Sequence, residues 1–206
     1  PVKSAWLTYQ HYLEQWPTVC ESVNIKQAFS LANGVTVQLS GQFNALRQNG
    51  KEHALIVCTA QTLLSRGVIK YHNFCHHWVN HLLLCAAQNP VKSIIVGSDA
   101  VCQIPLLTKS EAEHYLKELL EKWQAGLQQP LPIAVRAAFA YLPKLELEKA
   151  KSVYEGGFNI SGELDRDAYL QRFFPSFDAL ISSTKFEEWA EDLYRPMLTH
   201  ITEVAQ

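Results

Sequence analysis

The stretch SGQFNALRQNGKEHALIVCTAQ, Ser40 to Gln61, holds two short β-patterned runs on either side of an Asn49-Gly50 turn. Asn-Gly between alternating runs is a strong hairpin signal, because both turn residues tolerate positive φ. The hydrophobic period then changes. From Ile69 to Gln88 the apolar positions Tyr71, Phe74, Cys75, Trp78, Leu82, Cys85 and Ala86 recur at helical spacing, up to a stop at Asn89-Pro90. Ser93-Ile-Ile-Val-Gly97 follows as a buried strand. Parallel strands need a crossover of this kind, so the order strand, helix, strand predicts a β-α-β unit in a mixed sheet.

The flanking segments extend this pattern. Residues 1–23 set Trp6, Tyr9, Tyr12, Leu13 and Trp16 at helical spacing, ended by Pro17. Phe29–Leu31, a turn at Asn33-Gly34, Val35–Leu39, Gln42–Arg47 and Ala54–Thr59 read as one antiparallel meander. Thr108 and Glu111 have capping-box spacing and open an amphipathic helix on Ala112, Tyr115, Leu116, Leu119, Leu120 and Trp123, with Gly126 as its stop. Beyond Pro130 the predicted helices are Ala134–Tyr141, Leu145–Tyr154, Asp167–Phe174, Phe177–Ile181 and Lys185–Ile201, with breaks at Gly156-Gly157, Pro175 and Pro196. Pro130 and Pro132 leave an extended strand open as the alternative at 134–141. The expected organisation is an α/β core with a helical lead-in over residues 1–130, and a helical subdomain packed on it over 131–206.

At 48% hydrophobic residues the chain can bury a core. Its five cysteines are irregularly spaced and odd in number, so they read as reduced thiols of a cytosolic protein rather than a disulfide framework. No run is long enough to span a bilayer, and none resembles a secretory signal. The start at Pro1, without Met and in mid-pattern, reads as a piece of something larger. Charge is segregated. Residues 31–98 carry Arg47, Lys51, Arg66, Lys70 and Lys92 against one acid, Glu52, whereas residues 99–206 carry eleven basic and seventeen acidic side chains. A nucleic-acid face, if present, belongs to the first stretch, because the second repels phosphate, and a solvated surface explains the five cations equally well. Arg47, Lys51, Arg66 and Lys70 are the candidate phosphate contacts.

Several chemistries lack their signatures. There is no Gly-x-Ser-x-Gly elbow, no Gly-x-Gly-x-x-Gly and no phosphate-cradling loop ending in Gly-Lys-Ser/Thr, so no cofactor is expected. In YHNFCHHWVNHLLLC, His77 and His81 stand four apart as zinc ligands would. The same helical wheel groups them with Lys70, Asn73 and Asn80 on a polar side that water can satisfy, and no metal site is assigned. A zinc-stabilised module on these two histidines is the rival. The aromatics Phe173, Phe174, Phe177, Phe186, Trp189 and Tyr194 are read as packing rather than base stacking.

The Ser40–Gln61 hairpin raises a sharper question. Metal-dependent phosphodiester cleavage needs clustered carboxylate oxygens for Mg²⁺ and a nearby basic group. In restriction-endonuclease-like, PD-(D/E)xK, nucleases an Asp ends one strand, and an acid-x-Lys pair on the next strand shares one sheet face. Here the Asp place falls on Asn44. The next strand offers Ile56 with Cys58, or Val57 with Thr59, depending on register. None is an acid or a lysine, so this core is expected not to cleave DNA. The alternative is an active Mg²⁺-dependent nuclease drawing acids from elsewhere, such as Glu21, Asp99 or Glu113.

The blocks VTVQLSGQF, FCHHWVNHLLLCAA, PLLTKSEAEHYLKELLEKWQAGLQQPL and VYEGGFNISGELDRDAYLQRFF, in order between about Val35 and Ile201, resemble the C-terminal region of the RecC family, gamma subunits of bacterial exodeoxyribonuclease V. The resemblance implies a restriction-endonuclease-like fold without a working active site: a small mixed sheet flanked by helices, plus a helical C-terminal part. It implies RecB and RecD as partners in a RecBCD complex that processes DNA double-strand ends for recombination, with a DNA end or fork nearby and no membrane. No catalytic residue of the nuclease class carries over.

Overall fold

Val91–Val96 is buried at every position except Lys92, as a strand covered on both faces must be. In the computed structural model, which describes residues 2–87 and 90–204, it is the centre of a mixed sheet flanked by helices. Helix α1 spans Val2–Gln15 and strand β1 Thr18–Val19. Strands β2 (Val23–Ser30) and β3 (Thr36–Phe43) form a hairpin, and β4 (Leu46–Asn49) and β5 (Glu52–Cys58) form a second one. A small hairpin of β6 (Leu64–Ser65) and β7 (Val68–Ile69) leads through a 3-10 turn, Tyr71–Phe74, into α2 (Cys75–Ala86). Then come β8 (Val91–Val96), β9 (Val101–Ile104) and α3 (Lys109–Gly126).

The six-stranded sheet has the order β1-β4-β5-β8-β9-β12, where β12 is Thr202–Glu203. Within it β5 and β8 are parallel, from His53 opposite Val91 to Cys58 opposite Val96, with α2 as their crossover. The neighbouring pairs are antiparallel. On one face Ala5 of α1 and Trp16 just beyond its end, with Tyr9, Tyr12 and Leu13, pack on Ala54, Ile56, Ile94, Val96 and Val101. The opposite face meets α2, where His81 Nδ1 lies 2.9 Å from Ser93 Oγ.

The expected single meander is not formed. β2 and β3 pair only with each other, from Val23–Phe43 to Ser30–Thr36, as a separate two-stranded sheet, and pairing lapses at Asn44 and Ala45 before β4 begins. The backbone of this hairpin lies close over α2: a Cβ added to Gly41 would fall 3.3 Å from Leu83 Cδ2. Gln27 Nε2 also donates to the Ala86 carbonyl at 3.4 Å. Cover from several directions explains why Leu82, Leu83, Leu84, Cys85 and Ala86 are all buried. The predicted helix over 69–88 begins later, at Cys75, because Ile69 is used in β7; Gln88 lies outside the described residues.

The Thr108–Glu111 box is present in full. The Thr108 amide donates to Glu111 Oε2 at 2.9 Å, the Thr108 hydroxyl donates to the same oxygen at 2.5 Å, and the Glu111 amide donates to Thr108 Oγ1 at 3.3 Å. These bonds hold the Glu111 carboxyl below its ordinary pKa.

The chain divides into two compact units, one holding the described residues up to Glu121 and those from Met197 onward, the other Lys122–Pro196. The second unit is mainly helical: α4 (Val135–Tyr141), α5 (Leu147–Glu155), a short β10–β11 hairpin (Gly156–Gly157 and Ile160–Ser161), α6 (Ala168–Phe173), α7 (Phe177–Leu180) and most of α8 (Lys185–His200). The 134–141 segment is thus helical, and α8 runs through Pro196 instead of breaking there. Asp167 caps α6 through the Tyr169 and Leu170 amides, and Ser176 caps α7 through the Ala179 amide. Phe177 packs between Tyr154 and Phe186, with ring centroids 6.0 and 5.8 Å away.

Candidate functional site

The β4–β5 hairpin and the strand ends around it carry the residues that the sequence marks. By strand alternation, β5 directs Ala54, Ile56 and Cys58 toward the α1 face and Leu55, Val57 and Thr59 toward the α2 face. Neither set contains a carboxylate or an amine. Ile56 is only 2% exposed and belongs to the apolar core against α1. Cys58 is exposed at the end of β5. The Thr59 amide continues the ladder to the Val96 carbonyl at 2.9 Å, and Thr59 Oγ1 accepts from the Gln61 amide at 3.2 Å. Asn44 is exposed in the link before β4, two residues ahead of the rung where Leu46 faces Leu55.

The acids considered as substitutes are dispersed, and Asp99 and Glu113 are already engaged. Asp99, in the turn between β8 and β9, accepts the Leu63 amide at 2.6 Å and the Leu64 amide at 3.1 Å. Glu113 on α3 accepts from Gln27 Nε2 at 2.9 Å and faces Lys109 Nζ at 3.7 Å. Glu21 is exposed between β1 and β2. Among the described residues no three His, Cys, Asp or Glu side chains converge so as to hold a metal ion. The donor set at Asn44 and β5, one neutral amide with apolar, thiol and hydroxyl groups, does not fit Mg²⁺, which requires anionic oxygen.

The histidines are placed differently from the sequence reading. His77 and His81 do not lie on a wetted polar side; they are buried at 7% and 0% exposure, with His81 set against Ser93 of the sheet. His81 is bracketed by Ser93 Oγ at 2.9 Å and Cys85 Sγ at 3.7 Å, and it stacks on Trp78 at 6.2 Å between centroids. Trp78 also stacks on His200 at 5.8 Å. Burial pushes both imidazoles down to about 4, reinforced at His77 by neighbouring His76. At His81 a hydrogen bond to the Pro105 carbonyl opposes the burial effect, and His200 adds to it. Neutral, enclosed rings of this kind are packing and hydrogen-bonding groups. The Cys75 and Cys102 thiols are equally unsuited to attack: burial raises Cys75 to about 11, and burial with the Glu203 and Asp99 charges raises Cys102 to about 12.

The four candidate phosphate contacts fall into two pairs. Arg47 on β4 and Lys51 in the β4–β5 turn lie toward the start of β5, and Arg47 Nη1 donates to the Trp16 carbonyl at 3.1 Å. Arg66, at φ 51° in the β6–β7 turn, and Lys70, whose Nζ donates to Thr62 Oγ1, lie beyond the far end of β5. Pairing register adds a cation that the sequence reading left aside. Arg47 and Lys92 both face Ala54, from opposite sides. Lys92 and Lys51 line a cleft of about 200 Å³ with Trp16, Glu52, His53, Pro90 and Leu106. Of the six aromatics, Phe177, Phe186 and Trp189 are buried, Phe174 and Tyr194 are half-buried, and Phe173 is 43% exposed.

Among the described residues no helix is long and apolar enough to cross a membrane. The family model of the RecC C-terminal domain matches residues 1–146, which take in α1, the first five strands of the six-stranded sheet, α2, α3 and α4. The RecBCD enzyme subunit RecC of Escherichia coli (strain K12) is 28% identical over 115 residues, an alignment covering 47% of this chain and 10% of that protein. The chain thus corresponds to about a tenth of that relative's length. It belongs to the RecC C-terminal domain family.

Proposed function

We propose that this chain is a non-catalytic, restriction-endonuclease-like domain of a RecC-type subunit, serving a cytosolic RecBCD-type helicase–nuclease as a scaffold where DNA double-strand ends are processed for recombinational repair. The order α1, β4–β5 hairpin, crossover α2 and parallel β8 supports the nuclease-like reading. The observation that carries the loss of activity is the chemistry of the β4–β5 pair. Asn44 stands where the strand-end Asp is needed, and Ile56, Val57, Cys58 and Thr59 supply neither the acid nor the lysine. An amide oxygen can touch Mg²⁺ but brings no negative charge, so the cation stays hydrated and no water is activated.

Without chemistry of its own, the domain contributes surfaces. RecB and RecD are the protein partners of this reading, and a duplex end or fork is the nucleic acid. Arg47 and Lys51, with Lys92 beside them, would meet phosphate at one end of β5, and Arg66 and Lys70 at the other. These contacts orient the backbone and read no sequence. The test is co-purification of the parent subunit with RecB and RecD, with and without residues 1–206 of this chain. The expected result is loss of one or both partners on deletion, while ATP hydrolysis by the remaining helicase subunits persists. Full assembly without the segment contradicts the scaffold role.

A further inference from the structure

The β10–β11 hairpin of the second unit carries apolar side chains that nothing in that unit covers. Phe158 at its tip is 95% exposed, and Ile160 on the returning strand is 70% exposed. Large apolar groups held fully in water mark interaction surfaces when the backbone beneath them is organised. Here it is. Gly156 pairs with Ser161 and Gly157 with Ile160, and the turn closes through Asn159 at φ 60°. A Cβ on Gly156, itself at φ +75°, would fall 2.3 Å from the Ile160 carbonyl oxygen, and one on Gly162 would fall 2.2 Å from the Tyr154 carbonyl oxygen. Only glycine lets the two short strands close against the end of α5. The Gly162 amide donates to Asp165 at 3.0 Å and the Glu163 amide to the Val153 carbonyl at 3.0 Å, which fastens the root of the hairpin on both sides.

We propose that Phe158 and Ile160 form a preorganised anchor that inserts into an apolar pocket of a protein partner with a basic rim. This rests on the docking reading above and identifies one surface through which the domain holds a helicase subunit. A rigid arm loses little conformational freedom on binding, and a single aromatic seated in a pocket can dominate an interface. The electrostatics select a protein over DNA. Glu155, Glu163, Asp165 and Asp167 flank the hairpin in the chain against one cation of the same stretch, Arg166, which leaves it net acidic. Asp165 accepts the Gly162 amide at 3.0 Å and Glu155, next to Gly156, accepts the Phe177 amide at 2.8 Å, so two of these carboxylates are fixed beside the root of the hairpin. Lys151 is engaged with Asp178 at 3.3 Å. An aromatic wedge entering a base stack would bring phosphates against these carboxylates, whereas a lysine- or arginine-rimmed pocket is drawn to them.

The experiment replaces Phe158 with the photo-crosslinker p-benzoylphenylalanine in the full parent subunit, assembled with purified RecB and RecD on a forked DNA. Crosslinking to one helicase subunit is the expected result. Crosslinking to DNA or within the same chain, or no crosslink, overturns the proposal. In parallel, Phe158→Ser with Ile160→Ser is expected to weaken binding to that subunit at least tenfold while leaving the melting midpoint unchanged. Wild-type assembly matched by equal affinity of the double variant removes the anchor and leaves the scaffold role standing. A wild-type subunit that binds neither helicase removes both.

Discussion

The Asp99 carboxylate accepts the Leu63 amide at 2.6 Å, and with the Leu64 amide at 3.1 Å it ties the segment leaving β5 to the turn between β8 and β9. Both parallel strands end there, so the acid in that turn serves as a backbone cap. Replacing it leaves two amides without their acceptor. Asp99→Ala is expected to lower stability by about 1–3 kcal/mol, the usual cost of stranding such donors. Urea unfolding measures it. Hydrogen exchange should speed up at Leu63 and Leu64 first, and exchange unchanged at both would contradict the capping role.

Acid pH should loosen the helix between sheet and hairpin. His77 and His81 have folded-state pKa values of about 4 against an ordinary 6.5, with burial as the main cause. The unfolded chain therefore binds more protons between these values. The stability associated with the neutral rings is complete above pH 6.5 and is lost as pH falls toward 4, at about 1.4 kcal/mol per pH unit for each ring at most. Denaturant midpoints from pH 7.5 to 4.5 should fall on the acid side, and a flat profile would contradict the burial of these imidazoles.

Glu163 supports α4 from a distance: its two oxygens accept the Arg136 and Ala137 amides at 2.9 Å each. α4 has no side-chain cap at Ala134, so this carboxylate takes over that task. Glu163→Ala is expected to cost about 1–2 kcal/mol, with Glu163→Gln losing less because one oxygen remains. Thermal melts that rank the two variants equally would count against the bidentate arrangement.

If the cations near β5 contact duplex phosphate, each pair should contribute separately. Arg47→Ala with Lys51→Ala, and Arg66→Ala with Lys70→Ala, should each reduce the slope of log affinity against log salt by about two, with no change in sequence preference. Fluorescence anisotropy on the parent subunit reads this. A slope unaffected by either pair removes these residues from the DNA-facing surface.

The β-α-β unit, the capping box and most helices were legible because their periods run over many residues. Three features were not. β1, β9 and β12 have two to four residues each, too few for a period to stand out, and β12 is recruited from beyond α8 by pairing with β9. The meander was misread because alternation tells which residues face inward and not which strand is the neighbour; β3 satisfies its pattern on β2 alone. The histidines were misplaced because a helical wheel assumes one covered side, whereas α2 is covered on several. At the candidate site, the identities of Asn44 and Ile56 to Thr59 were plain from the residues, but the division of β5 into two faces needed the β5–β8 register. The split of the four cations between the two ends of β5 follows from the β4–β5 pairing and from the order of elements after β5.

In the proposed function the β4–β5 pair holds no metal and performs no hydrolysis. Calorimetric titration of the purified chain with Mg²⁺ and Mn²⁺, run beside cleavage of end-labelled linear DNA in the same buffers, tests both. No saturable binding heat and no product above that of a metal-free control are expected. Stoichiometric binding with cleavage that is abolished by a chelator and by Asp99→Asn would contradict it.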